Sequence, residues 1–237
     1  METDAIRIPL GRTEKNHLPV LWNVTKSPHM WLIGDDEPAN VKTLKWACTQ
    51  AMREGWQSVT LDPAGRELGQ WECRQLAYRL NGDPSQVRYA LKWLKGEYDR
   101  RTRTLKNEKA ANIRCLPNGM RPDRILVAFA GLGTYLSNSG VGVDNLATLL
   151  KHGGRTGIHL MLDTHPDEIP NIMGRLSLQD EYDRLVIMDD RAYWEPNDSD
   201  TPVETLHYKA DDDILARSLK NIPEPQHPQI RQEASKK

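Results

Sequence analysis

Gly34-Asp35-Asp36-Glu37-Pro38-Ala39-Asn40-Val41 stands where a phosphate-binding loop would stand. An apolar run, Pro28-His29-Met30-Trp31-Leu32-Ile33, leads into it, and Val41, Leu44, Ala47, Cys48, Ala51 and Met52 follow at helical spacing. In a working loop of this kind, glycines let backbone N–H groups curl around the phosphates. A Lys then reaches the terminal phosphates and a Ser or Thr binds magnesium. Here Asn40 holds the Lys position and Val41 the hydroxyl position. Asp35, Asp36 and Glu37 place carboxylates where the anion would lie. Two like charges about 4 Å apart repel by roughly 4 kcal/mol at an effective dielectric near 20. Pro38 removes one N–H donor as well. The same residues also read as a helix start, with Asp36 or Glu37 as an acidic cap and Pro38 in the first turn. Lys42-Thr43 is the alternative source of a cation and a hydroxyl, two residues late and with no intervening glycine.

A second group of chemistry-bearing residues is basic. Arg88, Lys92, Lys95, Arg100, Arg101, Arg103, Lys106 and Lys109 face Glu97, Asp99 and Glu108, eight cations against three anions in a chain of net charge −1. Such a stripe can track a nucleic-acid backbone, with steep salt dependence. It can equally be a solvated helix face with Glu97 and Arg101 paired at i, i+4. Trp93 and Tyr98 read as core residues rather than base-stacking platforms, because stacking needs exposed rings. His159 lies in an apolar run and reads as a satisfied core histidine. Asp163 and His165 close that run at the end where open α/β sheets place ligands. They are a candidate acid–base pair, although no Ser or Cys has a nucleophile-elbow context. The acidic stretch from Asp180 to Asp213 lacks calcium-loop spacing and reads as solvated surface or as contact with a basic partner.

The elements that must position these residues follow from periodicity. A chain of 237 residues can bury a substantial core. A helix is expected over about 40–54, a short strand over Ser58–Leu61, and a long amphipathic helix from about Pro84 to Lys109 with Val87, Leu91, Leu94, Tyr98 and Leu105 inward. The nearly unbroken apolar run Ile125–Ala130 marks a central parallel strand covered on both faces. A helix over about 142–153 and strands at Ile158–Leu162 and Leu185–Met188 follow. Strands alternating with helices predict a doubly wound, mostly parallel α/β sheet. From about 221 onward Pro, Gln, Lys and Glu predict a flexible tail. Cys48, Cys73 and Cys115 have no C-x-x-C spacing, so neither a zinc site nor a disulfide framework is expected, and the composition suits the reducing cytoplasm. No apolar run is long enough to span a bilayer and the polar N-terminus lacks the form of a secretory signal, so any membrane association is expected through a partner.

The order of these pieces resembles the motor domain of the FtsK/SpoIIIE/HerA family of DNA translocases, and within it the compact transfer proteins of actinobacterial plasmids and phages. The likeness runs from about residue 17 to about 210. Pro28-His29 leading to Gly34 resembles the family's entry to its P-loop. Asp62-Pro63, Glu67-Leu68-Gly69 and Trp71 are similar to the segment after the next strand. Asp99-Arg100-Arg101 through Ala111-Asn112-Ile113-Arg114 resembles the helical insertion before the Walker B strand. Arg155-x-Gly157-Ile158-His159-Leu160, with Thr164, is similar to the strand of polar sensor residues.

The resemblance implies a RecA-like P-loop NTPase fold with helices on both faces of the sheet. Its domains would be an N-terminal extension over 1–16, the RecA-type domain over 17–220 with the helical insertion at about 72–114, and the tail over 221–237. It also implies DNA as a partner, together with a homo-oligomer or a hetero-assembly with an active translocase. Arg155 would then lie near a subunit interface, where an arginine can complete a neighbour's site; the alternative is a helix-terminal arginine bonding carbonyls. The departures fall on the catalytic positions. Ala130-Gly131 stands where the family has a magnesium-binding Asp and a water-activating Glu, and Thr164-His165 where it has Thr-Gln. Phosphoryl transfer is catalysed mostly by positioning and charge neutralisation, so these losses imply a silent domain with no cofactor or metal. An active translocase using ATP and magnesium at Lys42 and Thr43 is the alternative, and an unrelated enzyme using His165 and Asp163 is a third reading.

Overall fold

A computed structural model describes residues 6–35, 37–65, 67–139, 141–177, 182–188, 191–197, 201–207 and 211–225; the side chains of Glu37 and His207 are outside this description. Ten strands form one sheet among these residues: β1 (Arg7–Thr13), β2 (Pro19–Asn23), β3 (Met30–Gly34), β4 (Gln57–Asp62), β5 (Tyr78–Asn81), β6 (Ile125–Phe129), β7 (Ile158–Thr164), β8 (Asp183–Met188), β9 (Arg191–Glu195) and β10 (Val203–His207). Their order is β2-β1-β10-β9-β8-β3-β7-β6-β4-β5. From β8 to β5 all neighbours run parallel. The strands β9, β10, β1 and β2 extend that block as an antiparallel wing.

Parallel neighbours require crossovers, and helices supply them. These are α1 (Glu37–Arg53), α2 (Glu67–Gln70), α3 (Pro84–Asn107), α4 (Leu132–Asn138), α5 (Val143–His152), α6 (Ile169–Leu176) and α7 (Asp212–Leu219). The pleat sends alternate residues to opposite faces, and β3 shows the consequence. Met30 and Leu32 join a core with Leu44 of α1, Leu68 of α2 and Leu215 of α7. Trp31 and Ile33 join a second core with Leu91 of α3, Leu136 of α4, Leu149 of α5 and Ile172 of α6. Both faces of the central strands are therefore dry, which is why their sequences read as continuous apolar runs. The long helix α3 starts where Asp83 accepts from the Ser85 backbone N–H at 2.9 Å and Pro84 occupies the first turn.

The structure departs from the sequence reading at the periphery. Residues 7–13 do not stand outside the domain as an extension, because β1 pairs with β10 on one side and β2 on the other. The segment 72–114 is not wholly helical: β5 pairs with β4 as the sheet's last strand before α3 begins. The stretch 180–213 holds, besides the expected strand at Leu185–Met188 (β8), the unexpected β9 and β10 and the start of α7, although Asp180, Asp189, Asp190, Asp198 and Asp200 lie outside the described residues. The beginning of the expected tail packs down, with Ile222 against the core and its carbonyl accepting from Gln75 Nε2 at 3.4 Å. Residues 226–237 lie outside the description.

Candidate functional site

The loop after β3 and the loops after β6 and β7 meet at the carboxyl ends of parallel strands, the edge where open α/β sheets hold ligands. Gly34 ends β3, and α1 begins three residues on. Asn40, in the first turns of α1, is 2% exposed. Its carboxamide donates through Nδ2 to the Gly34 carbonyl at 3.3 Å and to Asp163 Oδ1 at 2.8 Å. The fit above Gly34 is tight: a Cβ there would stand 2.7 Å from Asn40 Oδ1 and 2.7 Å from the Ile187 carbonyl. Asp163, on β7, is 6% exposed, and its second oxygen accepts from the Gly131 N–H at 2.9 Å. Gly131 adopts φ 64°, a left-handed conformation that glycine takes without strain, as it turns the chain from β6 into α4. One buried carboxylate thus links three loops, with the Asn40 amide and the Gly131 N–H among its donors. Among the described residues Asn40 Oδ1 has no hydrogen-bond partner.

Next to this junction Glu168 gathers a second set of donors. Its Oε2 accepts from the Thr164 hydroxyl at 2.9 Å and the His165 N–H at 3.2 Å, and its Oε1 from the Thr134 hydroxyl at 3.2 Å. A Cβ on Gly133 would meet this carboxylate at 2.1 Å, so α4 and the turn after β7 touch through a glycine. The motif His165-Pro-Asp-Glu168 is a capping box. That pattern was legible in the sequence, yet Glu168 was missed as a member of the site.

The remaining candidates disperse. Val41 is buried in the core with α1. Lys42 reaches Asp211 at the start of α7, 3.5 Å away, and the buried Thr43 hydroxyl donates to the Ala39 carbonyl at 3.0 Å, so neither side chain points back to the loop after Gly34. Ala130 is core, buried with α1. Asp35 is exposed, and Asp36 lies outside the described residues. Asp163 is buried against Asn40 and Gly131, whereas His165 is exposed, and its Nδ1 accepts from the Asp167 N–H at 3.3 Å. Of the basic residues on α3, Arg101 is 3% exposed and leaves the surface stripe, bonded to Glu97 at 2.6 Å and to the Thr156 carbonyl at 2.9 Å. Arg100 also pairs with Glu97, and Lys95 with Asp99. Arg88, Lys92, Arg103 and Lys106 remain exposed on one side of the helix.

Arg155 is exposed in the turn before β7, beyond the opposite end of the sheet from Gly34. His159 is buried as the sequence implies. Its Nδ1 lies 2.9 Å from the Pro28 carbonyl, its Nε2 lies 2.9 Å from Arg124, and its ring stacks on Trp56 at 5.2 Å. With a carbonyl on one nitrogen and a guanidinium on the other, the neutral ring carries its proton on Nδ1. Burial and the charge of Arg124 push its pKa well below the ordinary value. No group of three or more His, Cys, Asp or Glu side chains suited to a metal occurs among the described residues. None of the described helices is long and apolar enough to cross a membrane.

This fold, a mostly parallel sheet with helices on both faces and a loop-to-helix turn after β3, is that of P-loop NTPase domains. No protein-family model matches the chain, and no curated protein matches it. Solved structures do. The pCW3 conjugation coupling protein TcpA, in its monomer form with ATPγS, superposes with a TM-score of 0.77 at 17% identity over 92% of this chain and 71% of that one. The type VII secretion ATPase EccC of Thermomonospora curvata gives 0.64 at 15% identity over 88% of this chain and 27% of its own. EssC of Geobacillus thermodenitrificans, ATPases 2 and 3, gives 0.67 at 15% identity over 95% and 51%. The chain therefore spans most of the first, about a quarter of the second and about half of the third, and what it shares with all three is the fold.

Proposed function

We propose that this chain is a catalytically silent FtsK/SpoIIIE-like domain that serves a DNA-transfer or secretion assembly as a DNA- or partner-binding module. The observation that carries the reading is Asn40. The residue in the Lys position of the loop is short, uncharged, buried and bonded to Asp163 and Gly34, so it has no ammonium to offer a terminal phosphate. Ala130 and Gly131 add neither a metal-binding carboxylate nor a base where magnesium and water would need them. Lys42 and Thr43, the residues of the alternative active motor, are turned to Asp211 and to the Ala39 carbonyl. The likeness to a conjugation coupling protein and to type VII secretion ATPases supports placing the domain beside machinery that moves DNA or protein, and the exposed cations of α3 support DNA as a ligand.

The test is equilibrium binding of a fluorescent ATP analogue with magnesium, with and without duplex DNA. The silent reading expects no binding at millimolar nucleotide, and a gain of binding when glycines and Lys replace residues 37–40. Tight magnesium-dependent binding that Lys42→Ala abolishes would overturn it in favour of the motor.

A further inference from the structure

A cavity of about 300 Å³ opens at the far end of the sheet from Asn40. Pro28 and His29 enter it just before β3, and Gly154 and Arg155 just before β7, whereas Gly34 and Asp163 lie at or near the carboxyl ends of those two parallel strands. The five residues of β3, at about 3.3 Å each, put roughly 15 Å between the two regions. Its lining combines Arg114, Arg124, Lys151, His152, Arg155 and His29, and among the described residues no Asp or Glu lines it.

These cations are held differently. Arg124 is engaged with His159 at 2.9 Å and lies over the Trp56 ring, and Arg114 reaches the Thr25 hydroxyl at 3.4 Å. Lys151 and His152 sit in the last turn of α5, whose dipole favours cations. Arg155 stands just beyond, exposed, with its charge turned to solvent and cavity. Like charges converging on one concavity repel, and an anion inside it relieves that repulsion.

His29 adds a buried, uncharged ring to the lining. It is 1% exposed and lines the cavity. Its Nδ1 accepts from the Leu160 N–H at 3.1 Å, so the neutral ring carries its proton on Nε2. Among the described residues that Nε2 has no hydrogen-bond partner, and the ring meets Tyr182 edge-on at 5.6 Å. A buried N–H without an acceptor is costly, and native structures rarely leave one so.

We infer that this cavity is a binding site for a phosphate-type oxyanion, with Arg155 and Lys151 as its reachable charged donors. At the lower limit of ligand-pocket volumes, about 300–1,000 Å³, it suits one or two phosphoryl groups rather than a whole nucleotide. The phosphoryl group comes either from a free phosphate species or from a nucleic-acid backbone. The site is separate from the loop at Asn40, so it stands or falls independently of that loop's silence.

Isothermal titration calorimetry with inorganic phosphate and with pyrophosphate tests it, on the whole chain and on the Arg155→Ala/Lys151→Ala double variant. Both substituted side chains are exposed, and circular dichroism checks that the variant is folded. Saturable binding that weakens about tenfold or more in the double variant, as loss of charge-assisted bonds implies, and that Arg88→Glu/Lys92→Glu leaves unchanged, supports the site. Adding duplex and single-stranded oligonucleotides then separates the sources: displacement of pyrophosphate assigns the site to a nucleic-acid backbone, and its absence to a free phosphate species. No saturation at millimolar ligand, or equal affinity in the double variant, overturns the inference.

Discussion

Asn40 and Asp163, 123 positions apart in the chain, are joined by a 2.8 Å hydrogen bond at the mouth of the sheet. The bond fastens the first turns of α1 to the carboxyl end of β7, and through Asp163 Oδ2 to Gly131. In a nucleotide-binding relative of this fold, a ligand would bridge such loops by binding the Lys, the backbone and the metal at once. Here two side chains make the bridge. Asn40→Ala leaves a buried carboxylate with one donor fewer, and bonds to charged groups contribute about 1.5–3 kcal/mol. Urea unfolding of Asn40→Ala, Asp163→Ala and the double variant should therefore give a coupling energy of about 1–2 kcal/mol. Additive effects would mean that the bond does not fasten the loops.

The pair Glu97–Arg101 is a buried ion pair of the helical segment, since Arg101 is 3% exposed and also bonds the Thr156 carbonyl ahead of β7. Burial pushes Glu97 up, but its hydrogen bonds to Arg100 and Arg101, with their charges, outweigh this and hold its pKa below the usual 4.5. The folded value lies below the unfolded one. The pair's contribution is thus complete above about pH 4.5 and is lost as pH falls through the folded value. Glu97→Gln should destabilise the protein at neutral pH by about 1–3 kcal/mol, with the difference from wild type shrinking as pH drops below 4.5. A pH-independent difference in unfolding midpoints would show that packing, not charge, is what the variant removes.

The central strands were legible because both faces are buried, so β3, β6 and β7 read as apolar runs whose neighbours matter little. The wing was not. In β9 and β10, Trp194 and Thr205 are buried while the residues beside them, Glu204 and the apolar Leu206 included, are exposed or half-buried, and their pairing through β1 joins residues nearly two hundred positions apart. Local periodicity carries no information about such a partner. At the site, that Asn40, Ala130 and Gly131 carry no charge could be read from residue types alone. That Asp163 would take up Asn40 could not, because it depends on the parallel register of β3 with β7, where Leu32 stands opposite Asp163. The same holds for Arg101: sequence gave its charge and its i, i+4 partner, but only the contact between α3 and the turn at Thr156 removes it from the surface.

His29 and His159 should set the acid limit of stability. Burial lowers the pKa of His29 from 6.5 to about 3, and His159 is shifted the same way by burial and Arg124. Below pH 6.5 the unfolded chain binds protons that the folded chain refuses, so stability rises with pH and falls as the solution is acidified from 6.5 toward 3. Each histidine contributes about 1.4 kcal/mol per pH unit once well below its unfolded value. Midpoints of urea unfolding for His29→Gln and His159→Gln should fall less steeply between pH 6 and pH 4 than those of the wild type, even if both variants start lower. An unchanged slope in both would mean that neither ring is kept neutral in the fold.

The exposed side of α3 carries the proposed contact with DNA. Arg88, Lys92, Arg103 and Lys106 recur at spacings of four, eleven and three residues, which on a helix of 100° per residue keeps them within one stripe about 27 Å long. Lys95 and Asp99 lie in the same stripe but pair with each other at 2.7 Å, so their charges cancel locally. A backbone tracked by four cations should bind with an affinity that falls steeply with salt, each released phosphate contact contributing about 0.9 to the slope of log K against log salt concentration. Arg88→Glu/Lys92→Glu should therefore weaken duplex binding and flatten that slope by about 1.8. Lys15→Glu/Lys220→Glu makes the same change in net charge at exposed positions away from α3, and should leave the slope near its wild-type value. If both pairs flatten the slope equally, the protein's overall charge and not this helix governs the binding; if neither does, DNA is held elsewhere or not at all.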